Sequence, residues 1–148
     1  MTLDGTRAEP VGPLPAQPSI EVVIPARDVE AFLAPAVRSA LGQTLAPRRV
    51  HVVENCSRDA TVRVAERLVR EDPRVNLVRA SRCGEGAARN RGLAEASDAD
   101  LIALLDADDV WEPTFLEETV ATLRVSPPET GVAHTEYRLI DASGRPLS

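Results

Sequence analysis

Three carboxylates in four positions, Asp106-Ala107-Asp108-Asp109, are the densest chemistry in the chain. They stand directly after Leu101-Ile102-Ala103-Leu104-Leu105, its most hydrophobic run. Like charges this close raise one another's pKa in a partly dry cleft unless a cation intervenes. Hard divalent cations such as Mg2+ or Mn2+ take oxygen ligands, commonly one or two carboxylates plus substrate phosphates. The same four residues also read as a solvated turn before a helix opening at Pro113, with Asp109 as a favourable charge at its amino end. Alone, the cluster does not choose between metal site and turn.

A second segment runs Ser81-Arg82-Cys83-Gly84-Glu85-Gly86-Ala87-Ala88-Arg89-Asn90-Arg91-Gly92. Gly84 and Gly86 permit close backbone approach, and Arg89 and Arg91 carry forked donors matched to phosphate oxygens. The segment lacks the third glycine of a dinucleotide fingerprint and the Gly-Lys-Ser/Thr of a Walker loop. Its bland alternative is a glycine turn followed by a solvated helix face carrying both arginines. A third segment, Glu54-Asn55-Cys56-Ser57-Arg58-Asp59, offers groups able to hydrogen-bond a base or ribose edge, or simply to begin a turn. His51 and His134 fall in strand-like runs and read as structural. Cys56 and Cys83 belong to no metal-binding spacing, and they read as two small buried thiols in neighbouring loops.

Strands and helices must bring these segments together. Residues 20–24 form an apolar run stopped by Pro25. Residues 29–41 place apolar side chains at helical spacing up to Gly42, with Pro35 either kinking the helix or marking its start. A second strand at 50–53 and a helix at 60–71 follow, with Asp59 as N-cap. A third strand at 75–78 precedes a helix at 85–96. The run at 101–105 is continuous rather than alternating, which predicts a central strand covered on both faces. Pro113 opens a fourth helix to about residue 123, and 132–140 reads as a fifth strand. This alternation predicts an α/β fold with a doubly wound, mostly parallel sheet, whose ligands bind at the carboxyl ends of the strands. All the polar segments above fall at that edge.

Composition bounds the rest. The 148 residues have room for one domain, expected over residues 19–148 behind a flexible Pro-rich leader at 1–18. A net charge of -6 argues against nucleic acid as a partner. No run of about 18 apolar residues is present, so no membrane span is expected, and nothing resembles a signal peptide. A cytoplasmic location is the resulting expectation. The complete absence of lysine counts against receiver-like or phosphatase-like α/β chemistry, which needs a partner lysine.

Taken in order, the segments resemble a family 2 glycosyltransferase of the GT-A fold. The matching pieces are Val22-Val23-Ile24-Pro25-Ala26-Arg27-Asp28, Ser39-Ala40-Leu41-Gly42-Gln43-Thr44, 52–61, 86–92 and 104–111. The resemblance covers about residues 20–123. It implies a nucleotide-sugar-binding part that takes a UDP-, GDP- or dTDP-sugar and passes the sugar to an acceptor hydroxyl, with inversion and with Mg2+ or Mn2+. It puts the backbone of Pro25, Ala26 and Arg27 under the nucleoside, Glu54 and Asn55 near the base, and Arg89 against base or diphosphate. Asp106 would lie near ribose and metal-bound water, and Asp108 on the metal.

Two departures stand out. The second loop usually reads Asp-Asp-Gly-Ser, whereas here it is Glu54-Asn55-Cys56-Ser57. In this family the acceptor half and its general base lie well beyond the acidic motif, and this chain ends 40 residues after Asp108. No residue is assigned as that base. The competing expectation is a truncated or degenerate module that binds a nucleotide sugar without transferring it.

Overall fold

A computed structural model describes residues 13–127, 129–141 and 144–147. Its elements alternate: β1 (Ile20–Ala26), α1 (Leu33–Leu41), β2 (Arg49–Glu54), α2 (Thr61–Glu71), β3 (Val75–Arg79), α3 (Glu85–Glu95), β4 (Leu101–Leu104) and α4 (Phe115–Val125). The four strands form one parallel sheet in the order β3-β2-β1-β4. The order reverses after β3, which puts the switch point between β1 and β4. The chain divides into two compact units, one of them Leu14–Glu117, which holds the whole sheet.

β1 and β2 are the buried centre. Val22, Val23, Ile24, Val50, Val52 and Val53 are fully covered. β-branched residues suit such a sheet because their side chains are stiff and pack on the pleat. One face carries α3, whose close approach depends on Gly92: a Cβ there would lie 2.2 Å from Val23 Cγ1 and 3.0 Å from Val53 Cγ2. Val23, Val53, Val78, Ala88 and Ala96 form the small-residue core beneath that helix. Buried Leu33, Ala36, Val37 and Ala40 of α1 and Ala65 and Leu68 of α2 supply further core. Pro35 falls in the first turn of α1, where a missing N–H costs nothing, so the helix begins near it and does not kink. Asp59 is not the N-cap of α2: that position is Ala60, which has no side-chain capping bond, and Asp59 one residue earlier accepts the Thr61 N–H through Oδ1 at 2.9 Å.

Two expectations fail. β4 is not central: it pairs only with β1 among the described residues, and Leu104 is 48% exposed. An apolar run records how much a strand can bury, whereas its place in the sheet depends on which strand backbones lie beside it. Residues 132–140 form no fifth strand, and only an isolated antiparallel bridge joins Ile140 to Pro146. Val132, Tyr137 and Leu139 are exposed, and beyond that bridge, where the Leu139 carbonyl accepts the Leu147 N–H at 2.8 Å, the β-favourable composition builds no ladder among the described residues.

Candidate functional site

The loops leaving β1, β2 and β4, together with the start of α3, surround a groove of about 430 Å³. This is within the ordinary range for small-ligand clefts. Pro25, Ala26, Arg27 and Val29 line it beside Asn55, Glu85, Asp106, Ala107 and Asp108. Parallel pairing explains the convergence. Ala26 lies level with Glu54 and Val23 with Leu104, so the chain leaves the strands at one edge.

The β1 and β2 loops are braced by side chains that bond to backbone across the gap. Asp28 Oδ1 accepts the Arg58 N–H at 2.7 Å, and Ser57 Oγ accepts that of Asp28 at 3.3 Å. Asp59 accepts from Glu30 N–H, Glu30 from Ala60 N–H, and Thr61 Oγ1 from Val29 N–H. Asp28 and Cys56 hold positive φ, 52° and 60°, in these same loops. Non-glycine residues rarely adopt that region, and here the bonds around it over-determine the backbone.

The acidic motif is set from a different direction. Buried Gln43 donates through Nε2 to the carbonyls of Ser39 and Glu112, at 3.1 and 2.8 Å, and its Oε1 accepts the Leu116 N–H. Ser39 Oγ accepts the Trp111 N–H at 3.1 Å. The segment 39–44 thus anchors the chain that follows Asp109, and Trp111 stacks on Phe115 with ring centroids 4.4 Å apart.

Electrostatically the groove is acidic. Arg89 reaches Asp106 Oδ1 at 2.8 Å and Glu85 Oε1 at 2.7 Å, and the hydrogen bond to Asp106 raises the guanidinium pKa further. Burial, then the neighbouring Asp108 and Asp106 charges, push the Asp109 carboxyl above its usual range. Among the described residues no arginine forms an ion pair with Asp108 or Asp109. No three His, Cys, Asp or Glu side chains among them converge on a point. This donor set fits a divalent cation held by one or two carboxylates and completed by phosphate oxygens, but not an all-protein cage.

Of the residues singled out in the sequence, Pro25, Ala26, Arg27, Asn55, Asp106 and Asp108 line the groove together. Arg89 stands behind them, bonded to Asp106. Glu54 is turned back to accept the Ser57 N–H at 2.7 Å and does not line the groove. Val29 and Glu85 do line it, and sequence reasoning did not single them out, since neither residue type marks a site. Arg91 pairs with Glu95 one turn along α3, as on an ordinary helix surface. His51, between Glu21 and Asn76, is a buried structural histidine. His134 is exposed and lies outside any strand.

The two cysteines contradict their expectation. Cys56 and Cys83 are joined in a disulfide with Cα atoms 5.6 Å apart, and Cys83 is exposed. The pairing of β2 with β3, Glu54 level with Arg79, delivers the two loops side by side despite 27 residues of separation.

The parallel α/β sheet with its acidic groove at the switch point has the GT-A type of transferase fold, as its likeness to solved transferases shows. The sequence model described as Glycosyl transferase family 2 matches residues 21–139. The chain belongs to that family. It is 32% identical over 131 residues to succinoglycan biosynthesis protein ExoO of Rhizobium meliloti, covering 88% of this chain and 36% of that protein. The mannosyltransferase PcManGT of Pyrobaculum calidifontis, solved with GDP-Man and Mn2+, superimposes with a TM-score of 0.59 at 26% identity, covering 68% of this chain and 31% of that one. The S. aureus TarS 1-349 structure with UDP gives 0.62 at 24% identity, over 71% of this chain and 32% of that one, a likeness of fold. The chain spans 30% to 51% of the length of the first three curated relatives it matches.

Proposed function

We propose that this chain is the nucleotide-diphosphate-sugar-binding part of a metal-assisted, inverting glycosyltransferase that passes a sugar to an acceptor hydroxyl. The observation that carries this reading is the groove itself. The β1-edge backbone at Pro25, Ala26 and Arg27 and the side chain of Asn55 line it together with the Asp106–Asp108 segment. In this reading the nucleoside lies along Pro25–Arg27 and Asn55, and the diphosphate points towards Asp108.

An anionic diphosphate and an acidic groove repel each other unless a cation joins them. Asp108, with Asp106, would hold Mg2+ or Mn2+, which when bound would act as Lewis acid and template for the departing diphosphate. The Mn2+ in the PcManGT complex supports that choice. Arg89 holds Asp106 in place and offsets part of the acidic charge. Glu85 and Val29 shape the wall. The general base that deprotonates the acceptor hydroxyl is not among the residues assigned here. We propose a cytoplasmic location, where nucleotide sugars are the available donors.

The test is calorimetric titration of the chain with UDP, GDP and dTDP, with Mn2+ and then with EDTA. One of the three should bind at least about ten-fold more tightly with Mn2+, a difference of about 1.4 kcal/mol. Asp108→Ala should abolish the metal dependence, and Asp109→Ala should change it less. Equal affinity with Mn2+ and EDTA would remove the metal from the reading, and no binding of any nucleotide would remove the reading.

A further inference from the structure

We infer that the Cys56–Cys83 pair is a thiol–disulfide clasp that tunes nucleotide affinity by fixing the wall between Asn55 and Glu85. The inference rests on the nucleotide-binding reading above, but on different residues.

The loop after β3 is poorly tied by anything else. Among the described residues, the segment 81–84 has one hydrogen bond to another loop, from the Gly84 N–H to Asn55 Oδ1 at 2.8 Å. The β2 loop, by contrast, is held to the β1 loop by four side-chain-to-backbone bonds, with a fifth from Thr61 at the start of α2. The disulfide therefore joins a braced loop to an unbraced one. What it positions is part of the groove: Asn55 precedes Cys56, and Glu85 follows Gly84, and both line the cavity. Gly84 has φ 134°, and no side chain caps α3 there, so no local capping bond replaces the covalent link.

The link is also accessible. Cys83 is exposed and Cys56 half-buried, so an attacking thiolate can reach the Cys83 sulfur. A low-molecular-weight thiol, or a dithiol protein, attacks that sulfur, and the S–S bond breaks with Cys56 leaving as thiolate. A second thiolate resolves the mixed disulfide and releases Cys83 as a thiol. The net change is one S–S bond and two protons converted to two S–H groups, with two electrons supplied by the external thiols, which become a disulfide. Oxidation is the reverse, with a low-molecular-weight disulfide as acceptor. In a reducing compartment a disulfide of this kind is characteristically reversible rather than structural.

Closing the clasp pre-organises two groove-lining positions, and opening it leaves them to be ordered by the ligand. Whichever of UDP, GDP and dTDP the chain binds is therefore expected to bind the reduced form about 3- to 10-fold more weakly than the oxidised form. The experiment equilibrates the 148-residue chain in glutathione buffers of graded ratio. Its thiols are counted by N-ethylmaleimide labelling and mass spectrometry, and UDP, GDP and dTDP are titrated with Mn2+ present in each state. Cys56→Gly, which accepts the 60° φ at that position, and Cys83→Ser, at an exposed position, should each show the reduced-form affinity whatever the buffer. Two labelled thiols in the fully oxidised buffer would overturn the clasp. Equal affinity of the oxidised and reduced chains would overturn it too, while leaving the donor-groove reading intact. No nucleotide binding in either state would overturn both.

Discussion

Asp106, Asp108 and Asp109 are adjacent in sequence but hold three different electrostatic positions. Asp106 is neutralised by Arg89 at 2.8 Å, Asp108 faces the groove, and Asp109 is pushed towards protonation by burial and its two neighbours. Arg89 is thus a support for the acidic motif before it is anything else. Arg89→Ala should weaken nucleotide binding with Mn2+ by about ten-fold through loss of a charge-assisted bond worth roughly 1.5 kcal/mol. It should move the Tm by less than about 3 °C, since the side chain is one-third exposed. Calorimetry and thermal melting of one variant separate the two effects. A drop in Tm of several degrees with normal binding would make Arg89 structural only. Glu54→Ala is the companion: its carboxylate closes a turn onto Ser57, so its effect on binding should be the smaller of the two.

Among the elements, α3 and the centre of the sheet are the most sensitive. Gly92 lets α3 sit on Val23 and Val53, and because those are stiff side chains on buried strands they cannot yield to a Cβ at 2.2 Å. Gly92→Ala should therefore destabilise by about 2–3 kcal/mol in urea titration, although alanine is the better helix former. An unchanged midpoint would mean that the helix can slide. At the amino ends of the strands, Glu21 bonds His51 Nε2 at 2.6 Å and Arg48 Nε at 2.8 Å. Burial works against its charge, but these two partners outweigh it and hold the Glu21 carboxyl below its ordinary value of 4.5. Its contribution is therefore complete above pH 4.5 and is lost as pH falls through the lower folded value. Glu21→Gln should lower stability at pH 7 by about 2 kcal/mol and flatten the acid limb of the stability curve below pH 4.5. Equal acid limbs in both proteins would show that Glu21 does not titrate on unfolding.

For the whole molecule, the acidic motif finishes at Asp109, and the described residues beyond it add one helix and a single isolated bridge. The 148-residue chain is therefore expected to bind a nucleotide sugar without glycosylating an acceptor, because inverting transfer needs a base within reach of the acceptor hydroxyl. Slow release of free sugar by water is compatible with this. Mass spectrometry of the chain incubated with UDP- and GDP-sugars and candidate acceptors checks it. Acceptor glycosylation abolished by Asp108→Ala would show that one of the six carboxylates from Glu112 to Asp141 serves as base.

The alternation of apolar runs with helical periodicity, and the gathering of polar residues after the strands, were sufficient to determine the parallel α/β class, the first four strands and the position of the groove. Both are local patterns, since burial on two faces and helical amphipathicity are written into neighbouring residues. The order β3-β2-β1-β4, the edge position of β4, the failure of 132–140 to pair and the Cys56–Cys83 bond were decided only in three dimensions. Each depends on which backbones lie side by side. Residues 27 or more apart in the chain carry no local mark of that adjacency. The same holds for the turning of Glu54 to Ser57 and of Arg89 to Asp106, where a side chain chose between a ligand-facing and an internal partner by a few ångströms of geometry.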